Sequence, residues 1–198
     1  MEPYVISGKS FTAVAINTAS KAGEWVKTKL GAYQQLDLKA SPSDLVTEVD
    51  KGAEALIRNL LNAHFPHHDI LGEEGVKPGS EASSRAIHEM KDSEYLWIVD
   101  PIDGTTNFVH GFPYFSISIA LAHRGEVIVG VVYDPNRDEM FVGEKGKGAY
   151  VHGRRMRVSK ESALSESLLA SGLPADREFA LPANLAGIEA VAPKGRNI

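Results

Sequence analysis

The sequence predicts an α/β protein with a layered architecture. Two stretches in its first third repeat apolar residues every three or four positions, the pattern of helices with one buried face. From residue 95 onward, short segments rich in β-branched and aromatic residues alternate with turn-forming stretches, which is typical of strands. One predicted strand runs directly into two aspartates. The end of that strand is therefore the first candidate for a functional site.

Each predicted helix has one apolar stripe. The first stripe consists of Phe11, Val14, Ala15, Ala22, Val26 and Leu30. The second consists of Ala53, Leu56, Ile57, Leu60 and Leu61. The apolar stretch from Phe11 to Ile16 is short and is followed by polar residues at helical spacing. We therefore interpret it as a helix face rather than a signal peptide.

The second half of the chain predicts a largely antiparallel meander. Its predicted strands are Tyr95–Val99, Tyr114–Ala122, Val127–Tyr133, Met140–Val142, Ala149–His152 and Ser167–Ala170. Short connections rich in glycine, proline and charged residues separate several of them, as expected of turns. Ahead of the first strand, the polar stretch Gly75–Ser93 is interpreted as a mobile surface loop.

Composition narrows the class of protein. The 198 residues suit one domain, and the 21 basic against 26 acidic residues give a formal charge of −5. The basic residues are scattered rather than striped, so charge does not indicate nucleic-acid binding. No apolar run reaches the roughly 20 residues that a membrane-spanning helix needs. We expect a cytoplasmic protein with no membrane or nucleic-acid partner.

Soft-ligand metal chemistry is not expected from the residue types. The chain has no cysteine, which excludes disulfides and thiolate ligands and fits a reducing compartment. His67 and His68 follow Pro66 and lack helical metal-ligand spacing, and we interpret His64, His67 and His68 as surface-loop residues without an assigned role. Any bound metal is therefore expected to have oxygen ligands.

The two aspartates of the stretch Trp97–Phe108 allow two interpretations. Asp100 ends an apolar strand, where a carboxylate is costly unless it is paired or bound to a cation. Pro101 restricts the backbone, so Asp100 and Asp103 can converge on one side of a turn, with Gly104 permitting close backbone approach. Alternatively, Asp-Pro and Asp-Gly are common turn dipeptides, and Asp103 then bonds only to its own backbone.

Two further acidic groups also have alternative explanations. Glu73 and Glu74 follow a short apolar segment and lie beside glycines. They are interpreted either as metal ligands or as solvated charges of a loop. Asp50 precedes the second predicted helix, three residues after Thr47. That spacing fits a helix capping box, so capping alone is one explanation of Asp50.

Taken together, these motifs resemble the inositol monophosphatases, particularly those of bacteria. The matching segments are SPSDLVTEVD at Ser41–Asp50, LGEEG at Leu71–Gly75, WIVDPIDGTTNFVHGFPYFSISIAL at Trp97–Leu121 and GVVYDPNRDEMFVGEKGKGAYVHGRRMRVS at Gly130–Ser159. The run of Asp100 to Asn107 is the most specific part. The resemblance implies a single domain over residues 1–198 with the layered αβαβα sandwich shared by inositol monophosphatases and fructose-1,6-bisphosphatases.

The resemblance also implies a set of site residues. A first Mg²⁺ would be held by Glu73, Asp100 and the carbonyl of Ile102, and a second by Asp100 and Asp103, with two to three ions in a complete site. Asp50 and Thr105 would activate the attacking water, with Glu73 as a further catalytic residue. Substrate would be bound by Glu73, Ile102, Asp103, Gly104 and Thr105, where the N–H groups of Gly104 and Thr105 hold phosphate oxygens. Oxygen ligands of this kind suit magnesium.

The implied function is hydrolysis of a phosphate monoester, with myo-inositol monophosphate as the expected substrate and a homodimer as the expected assembly. The alternatives are a relative that acts on fructose 1,6-bisphosphate, 3′-phosphoadenosine 5′-phosphate or histidinol phosphate, and a regulatory interaction protein whose role does not need turnover. Such phosphatases continue past the equivalent of Ile198 with G-S-A-A-L and W-D-x-A-A-G segments, and the latter contributes a third metal-binding aspartate. Because neither segment is present, we expect a chain that stops short of the complete fold and an activity that depends on the absent aspartate.

Overall fold

The computed structural model describes residues 5–6, 9–31, 36–38, 45–77, 79–173, 178 and 180–197. These fall into two compact units, Met1–Met156 and Arg157–Ile198, and each is described by itself. The single domain expected over residues 1–198 stays a prediction. Within the described ranges, no helix combines the length and the apolar character that crossing a membrane requires.

The first unit contains four helices and eleven strands among the described residues. The helices are α1 (Phe11–Lys27), α2 (Glu48–Asn62), α3 (Ser80–Glu89) and α4 (Thr105–Val109). The strands of its small sheets are β1 (Val5–Ile6), β2 (Lys9–Ser10), β3 (Leu36–Leu38) and β4 (Leu45–Thr47). Those of its large sheet are β5 (Asp69–Gly72), β6 (Tyr95–Asp103), β7 (Ser116–His123), β8 (Glu126–Asp134), β9 (Glu139–Glu144), β10 (Gly148–Val151) and β11 (Arg154–Arg155).

The large sheet has seven strands in the order β11-β10-β9-β8-β7-β6-β5. Every neighbouring pair from β6 to β11 is antiparallel, which confirms the predicted meander, and β5 joins the edge of β6 in parallel. Helices α1 and α2 pack against each other, α1 also contacts β7 and β8, and α2 also contacts β6. The predicted α/β class is thus confirmed, with the core between these helices and one face of the sheet.

The core shows why the first apolar stripe forms a helix that lies flat on the sheet. Ser10 caps α1 by accepting a hydrogen bond from the N–H of Ala13, at 3.4 Å. Phe11, Val14, Ala15, Ala22 and Val26 are all buried. Across from them, alternate residues of β7 and β8 point inward and are also buried, as the two-residue period of a strand requires. Burial of these two surfaces supplies most of the driving force for this unit.

Close approach of α1 to β8 depends on Gly23. A Cβ at this position would lie 2.6 Å from the ring of Tyr133, which itself is almost completely buried. The Tyr133 hydroxyl donates to Glu24 or Asp138, with its oxygen 3.1 and 3.0 Å from the respective carboxylates. Burial, and then hydrogen bonds to these two carboxylates, raise the pKa of Tyr133, so it remains a donor at physiological pH.

An aromatic cluster lies at the start of β6 and corrects the interpretation of one histidine. His68 is half-buried rather than exposed, and its ring stacks on Tyr95 at 4.5 Å and on Phe65 at 4.9 Å. Its Nδ1 accepts a hydrogen bond from Nε1 of the buried Trp97, at 3.1 Å. The sequence did not predict this contact because the two residues are 29 positions apart.

Two predicted segments are wrong in the structure. Gly75–Ser93 is not a loop throughout, since it contains α3 (Ser80–Glu89). The segment is rich in serine, which is typical of loops, and the helix was therefore not predicted. Ser167–Ala170 does not form a regular strand; Leu168 makes one isolated parallel bridge, to Asn197.

The second unit is largely open to solvent in its described part. It contains a 3₁₀ turn (Leu164–Glu166), helix α5 (Ala180–Val191) and a second 3₁₀ turn (Ala192–Lys194). The bridge at Leu168 is supported by hydrogen bonds from the N–H of Leu169 to Asn197 and from the N–H of Arg196 to Ser167. No described residue of α5 is buried within the chain.

Candidate metal and phosphate site

The candidate site begins where β6 becomes irregular. Asp100 pairs with Ser118 of β7, and Asp103 pairs with Ser116. Three steps along β6 therefore match only two along β7, which is a β-bulge with one extra residue. The bulge turns Asp103 towards solvent, while Ile102 remains buried between the two aspartates. A regular strand would not bring two side chains three residues apart to the same face.

Glu73 reaches the same place from the neighbouring strand. β5 runs parallel to β6 with Gly72 opposite Val99, so Glu73 follows the end of β5 just as Asp100 follows Val99. The chain turns there into a single 3₁₀ turn, Glu73–Gly75. The structure thus places Glu73 beside Asp100, and Asp103 lies near enough to act on Asp100 through its charge.

The electrostatics of these carboxyl groups would favour a bound cation. Burial raises the pKa of Asp100 to about 8, and the charge of Glu73, a hydrogen bond shared with Glu73 and the charge of Asp103 act in the same direction. The Oδ1 atom of Asp100 is buried without a hydrogen-bond partner. A buried carboxylate oxygen with no donor is a suitable ligand for a positive ion, because a cation offsets the cost of burying the charge.

The carboxylate side chains alone do not provide a complete set of metal ligands. Among the described residues, no group of three His, Cys, Asp or Glu side chains is spaced to surround a metal ion. Glu73 and Asp100 are close, whereas Asp103 acts on Asp100 through its charge. A metal ion here would therefore need backbone oxygens or water in addition to the two close carboxylates, and the Ile102 carbonyl between the aspartates is one such oxygen.

Asp50 and Thr105 form the second element of the site. Asp50 lies in the first turn of α2 and is 1% exposed. Thr105 begins α4, and its Oγ1 donates to Oδ1 of Asp50 at 2.9 Å, with the carbonyl of Ile102 also within 3.0 Å. Since Asp50 is buried and bonded to Thr105, solvated helix capping does not account for it alone. The Thr47 side chain of the alternative capping box lies outside the described part of the structure.

Gly104 makes the sharp turn between the bulge and α4. Its φ is +102°, a conformation that residues with side chains rarely adopt. A Cβ at Gly104 would also lie 3.0 Å from the carbonyl oxygen of Tyr114. This position therefore requires glycine. Because glycine has no side chain, the backbone of the turn stays accessible at this point.

Sequence reasoning missed Glu54 and Arg58, which lie directly behind the site. Glu54 Oε2 accepts a hydrogen bond from the N–H of Glu74 at 2.9 Å, and Oε1 pairs with Arg58 at 2.8 Å. The spacing of four residues on a helix predicts the ion pair but not its contact with the turn 20 positions away.

Comparison with known proteins identifies the fold and the family. A family model described as the inositol monophosphatase family matches residues 8–197. The chain belongs to the inositol monophosphatase family. This confirms the resemblance found in the sequence.

Members of the inositol monophosphatase family with curated descriptions share about two-fifths of their residues with the chain. It is 43% identical over 173 residues to inositol monophosphatase 2 of Solanum lycopersicum, covering 87% of the chain and 63% of that relative. It is 40% identical over 162 residues to Nus factor SuhB of Vibrio cholerae, covering 81% and 57%, respectively. The chain therefore spans less than two thirds of the length of these relatives.

Solved structures of this family have the same fold. The extragenic suppressor protein suhB of Bartonella henselae matches with a TM-score of 0.80 and 35% identity, covering 94% of this chain and 67% of that one. The Thermotoga maritima IMPase matches with a TM-score of 0.78 and 34% identity, covering 94% and 66%. These matches confirm the predicted fold class.

Proposed function

We propose that this protein is a Mg²⁺-dependent phosphomonoesterase, with myo-inositol monophosphate as its substrate. The observation that carries the proposal is the carboxyl pair Glu73–Asp100, held where the parallel pairing of β5 and β6 ends, with the charge of Asp103 nearby. Such an arrangement concentrates negative charge where a phosphate ester could approach only if cations were also bound. Family membership supports the same reaction class.

The residues fit magnesium because all the candidate donors are hard oxygens. Glu73, Asp100 and the carbonyl of Ile102 would hold a first ion, and Asp100 would share a second with Asp103. The partnerless Oδ1 of Asp100 is the observation that favours this assignment over a simple turn. We propose two to three ions for a complete site.

Asp50 and Thr105 would orient the attacking water. A hydroxyl whose proton is donated to a carboxylate has its lone pairs free to accept from another donor. Thr105 Oγ1 lies 2.9 Å from Oδ1 of Asp50, and a hydroxyl that donates there can accept a hydrogen bond from water without rotating. The buried Asp50 thereby fixes the direction in which Thr105 accepts. Neither residue needs to form a bond to phosphorus.

Gly104 and Thr105 would hold the phosphate through their backbone N–H groups, since the positive φ of Gly104 turns the backbone at the bulge. The chemistry that bound magnesium supplies in such a reaction is a lower pKa for the attacking water and neutralisation of charge on the leaving oxygen. The roles of Asp103 and Ile102 in substrate binding would follow from their place beside these N–H groups.

The test is phosphate release by the encoded protein from a panel of esters in magnesium. Myo-inositol 1-phosphate should give the highest kcat/KM, compared with fructose 1,6-bisphosphate, 3′-phosphoadenosine 5′-phosphate and histidinol phosphate. Asp100→Asn should lower kcat by a factor of about 100 or more, as loss of a positioned charge does. Asp92→Asn, at an exposed position, is the matched control and should be unchanged. Hydrolysis at the parental rate by the Asp100 variant would refute the proposal.

A regulatory role is a second candidate, because relatives in Vibrio cholerae and Pseudomonas aeruginosa are named Nus factor SuhB. Under that proposal the cytoplasmic protein, as a homodimer or with another protein, acts without turnover. Complementation of a deletion strain with Asp103→Asn separates the two candidates. A variant that restores growth while lacking phosphatase activity would favour the interaction role.

A further inference from the structure

Glu54 is a buried carboxylate that faces the turn carrying Glu73. It lies in the middle of α2 and is 7% exposed. Its two oxygens have different partners: Oε1 accepts from Nε of Arg58 at 2.8 Å, and Oε2 accepts from the backbone N–H of Glu74 at 2.9 Å. A buried charge with both oxygens bonded is held in a single orientation.

Arg58 extends the contact to the other side of the turn. Its Nη1 donates to the carbonyl oxygen of Ile70 at 3.1 Å. The ion pair on α2 therefore holds the backbone both before and after Glu73, at Ile70 and at Glu74. We name these two side chains, Glu54 and Arg58, the α2 brace.

Gly72 shows how closely the brace fits. A Cβ at Gly72 would collide with the carboxylate of Glu54. The φ of Gly72 is −107°, which any residue can adopt, so a side chain at this position would act by displacing the Glu54 carboxylate and not by straining the backbone. The carboxylate thus occupies the volume that a side chain at the end of β5 would fill.

We propose that Glu54 is a positioning residue for the metal site, acting through the backbone of Glu74 to hold Glu73 beside Asp100. The proposal rests on the function proposed above. Glu73 and Asp100 repel each other when both are ionised, and a flexible 3₁₀ turn would let Glu73 move away. Fixing the turn from behind keeps the two carboxyl groups together before a cation binds, which is the usual action of residues that support metal ligands.

Calorimetric titration of the 198-residue protein with MgCl₂ tests the proposal. Glu54→Ala should weaken magnesium affinity by about tenfold to a hundredfold. Glu54→Gln retains an oxygen that can accept from Glu74 and should bind magnesium more tightly than Glu54→Ala. Glu126→Ala is the control, because it removes a carboxylate paired with Lys145 on the surface, and its affinity should equal that of the parent. Equal affinities of Glu54→Ala and the parent would overturn the proposal.

Hydrogen exchange without metal provides an independent readout. The amide proton of Glu74 is bonded to Glu54, so its exchange should be faster in Glu54→Ala than in the parent by about tenfold, the effect of losing a hydrogen bond worth about 1.4 kcal/mol. Amides in the centre of β7 should keep their parental rates. If those amides accelerate equally, Glu54 acts on the whole fold and the positioning role is wrong.

The proposal can still be tested if Glu54→Ala does not fold. In that case the magnesium affinities of Glu54→Gln and Glu54→Asp are compared. The aspartate side chain is one methylene too short to reach both Arg58 and the N–H of Glu74. Weaker magnesium binding by the Asp variant supports the proposal, and equal binding overturns it. Failure of the proposed function has a different result: the parent and a Glu73→Ala variant would then bind magnesium equally poorly.

Discussion

Thr105 and Asp50 are 55 positions apart in the sequence, yet Oγ1 of Thr105 lies 2.9 Å from Oδ1 of Asp50. The contact joins the first turn of α2 to the first residue of α4. Because Asp50 is almost completely buried, the hydroxyl and carboxylate form a hydrogen bond that is shielded from solvent. The orientation of the Thr105 hydroxyl is therefore set by the fold.

This contact predicts a specific loss of turnover on substitution of Thr105. Thr105→Val keeps the shape of the side chain and removes the hydroxyl, so it should lower kcat of the encoded protein by about 10²–10⁴ with a small change in KM. Thr105→Ser should restore most of the rate. Thr106→Val, at the exposed neighbouring position, serves as the control. Steady-state kinetics on the preferred ester measure kcat and KM of each variant. A Thr105→Val variant with the parental kcat would contradict the role of Thr105.

Magnesium should stabilise the folded protein through the carboxyl cluster. Binding to the folded state alone adds about 2.7 kcal/mol at a concentration 100 times the Kd, and this appears as a higher Tm. Asp100→Ala removes the shared carboxylate and should abolish most of the increase, whereas Asp92→Asn should retain it. Differential scanning calorimetry in MgCl₂ and in NaCl of equal ionic strength distinguishes binding from screening. An equal rise of Tm in both salts would contradict a site at Asp100.

Part of this site could be predicted from sequence because its proposed ligands lie in short motifs. Asp100 and Asp103 are three residues apart, and Glu73 follows an apolar pair at a strand end. The bulge that makes the aspartates converge was not predictable, since it appears only in the pairing of β6 with β7. Glu54 was missed for the same reason: its partner at Glu74 is fixed by the packing of α2 against the turn Glu73–Gly75. Local patterns thus predicted residue types, and tertiary contacts determined how they are supported.

The fold shows the same division between local and tertiary information. Apolar periodicity predicted α1 and α2 because each has one wide buried face. Helix α3 has largely exposed residues, and its polar composition resembles that of a loop. The sequence therefore lacked the apolar stripe on which the prediction of a helix depends.

His68 predicts a loss of stability in acid. Burial lowers the pKa of His68, against the opposing charges of Asp69 and Glu94. The unfolded chain then binds a proton more readily, so the folded state loses stability as the pH falls below about 6.5, the ordinary value for histidine. The slope should stay below the one-proton limit of about 1.4 kcal/mol per pH unit, because solvent screens the half-exposed ring.

A pair of histidine variants isolates this effect. His68→Asn keeps an acceptor near Nε1 of Trp97 without a titrating group, so its stability should vary less with pH below about 6.5 than that of the parent. His88→Asn, at an exposed position that does not act on the pKa of His68, should follow the parental profile. Urea unfolding at several pH values measures both. Parallel profiles for the parent and His68→Asn would show that another group is responsible.

Gly104 offers the most direct test of the proposed phosphate-binding turn. Gly104→Ala meets two obstacles, a φ of +102° and the carbonyl oxygen of Tyr114, 3.0 Å from the new Cβ. Strain of this kind costs about 1–3 kcal/mol, and relief by backbone movement would displace the N–H groups of Gly104 and Thr105.

Gly111→Ala is the matched control, because Gly111 also has a positive φ, +69°, but has no heavy atom within 4 Å of its added Cβ. We expect both variants to lose stability in urea unfolding, Gly104→Ala more than Gly111→Ala, and only Gly104→Ala to lose affinity for inorganic phosphate in the presence of magnesium. Equal phosphate affinity in the two variants would show that the turn at Gly104 does not position the phosphate.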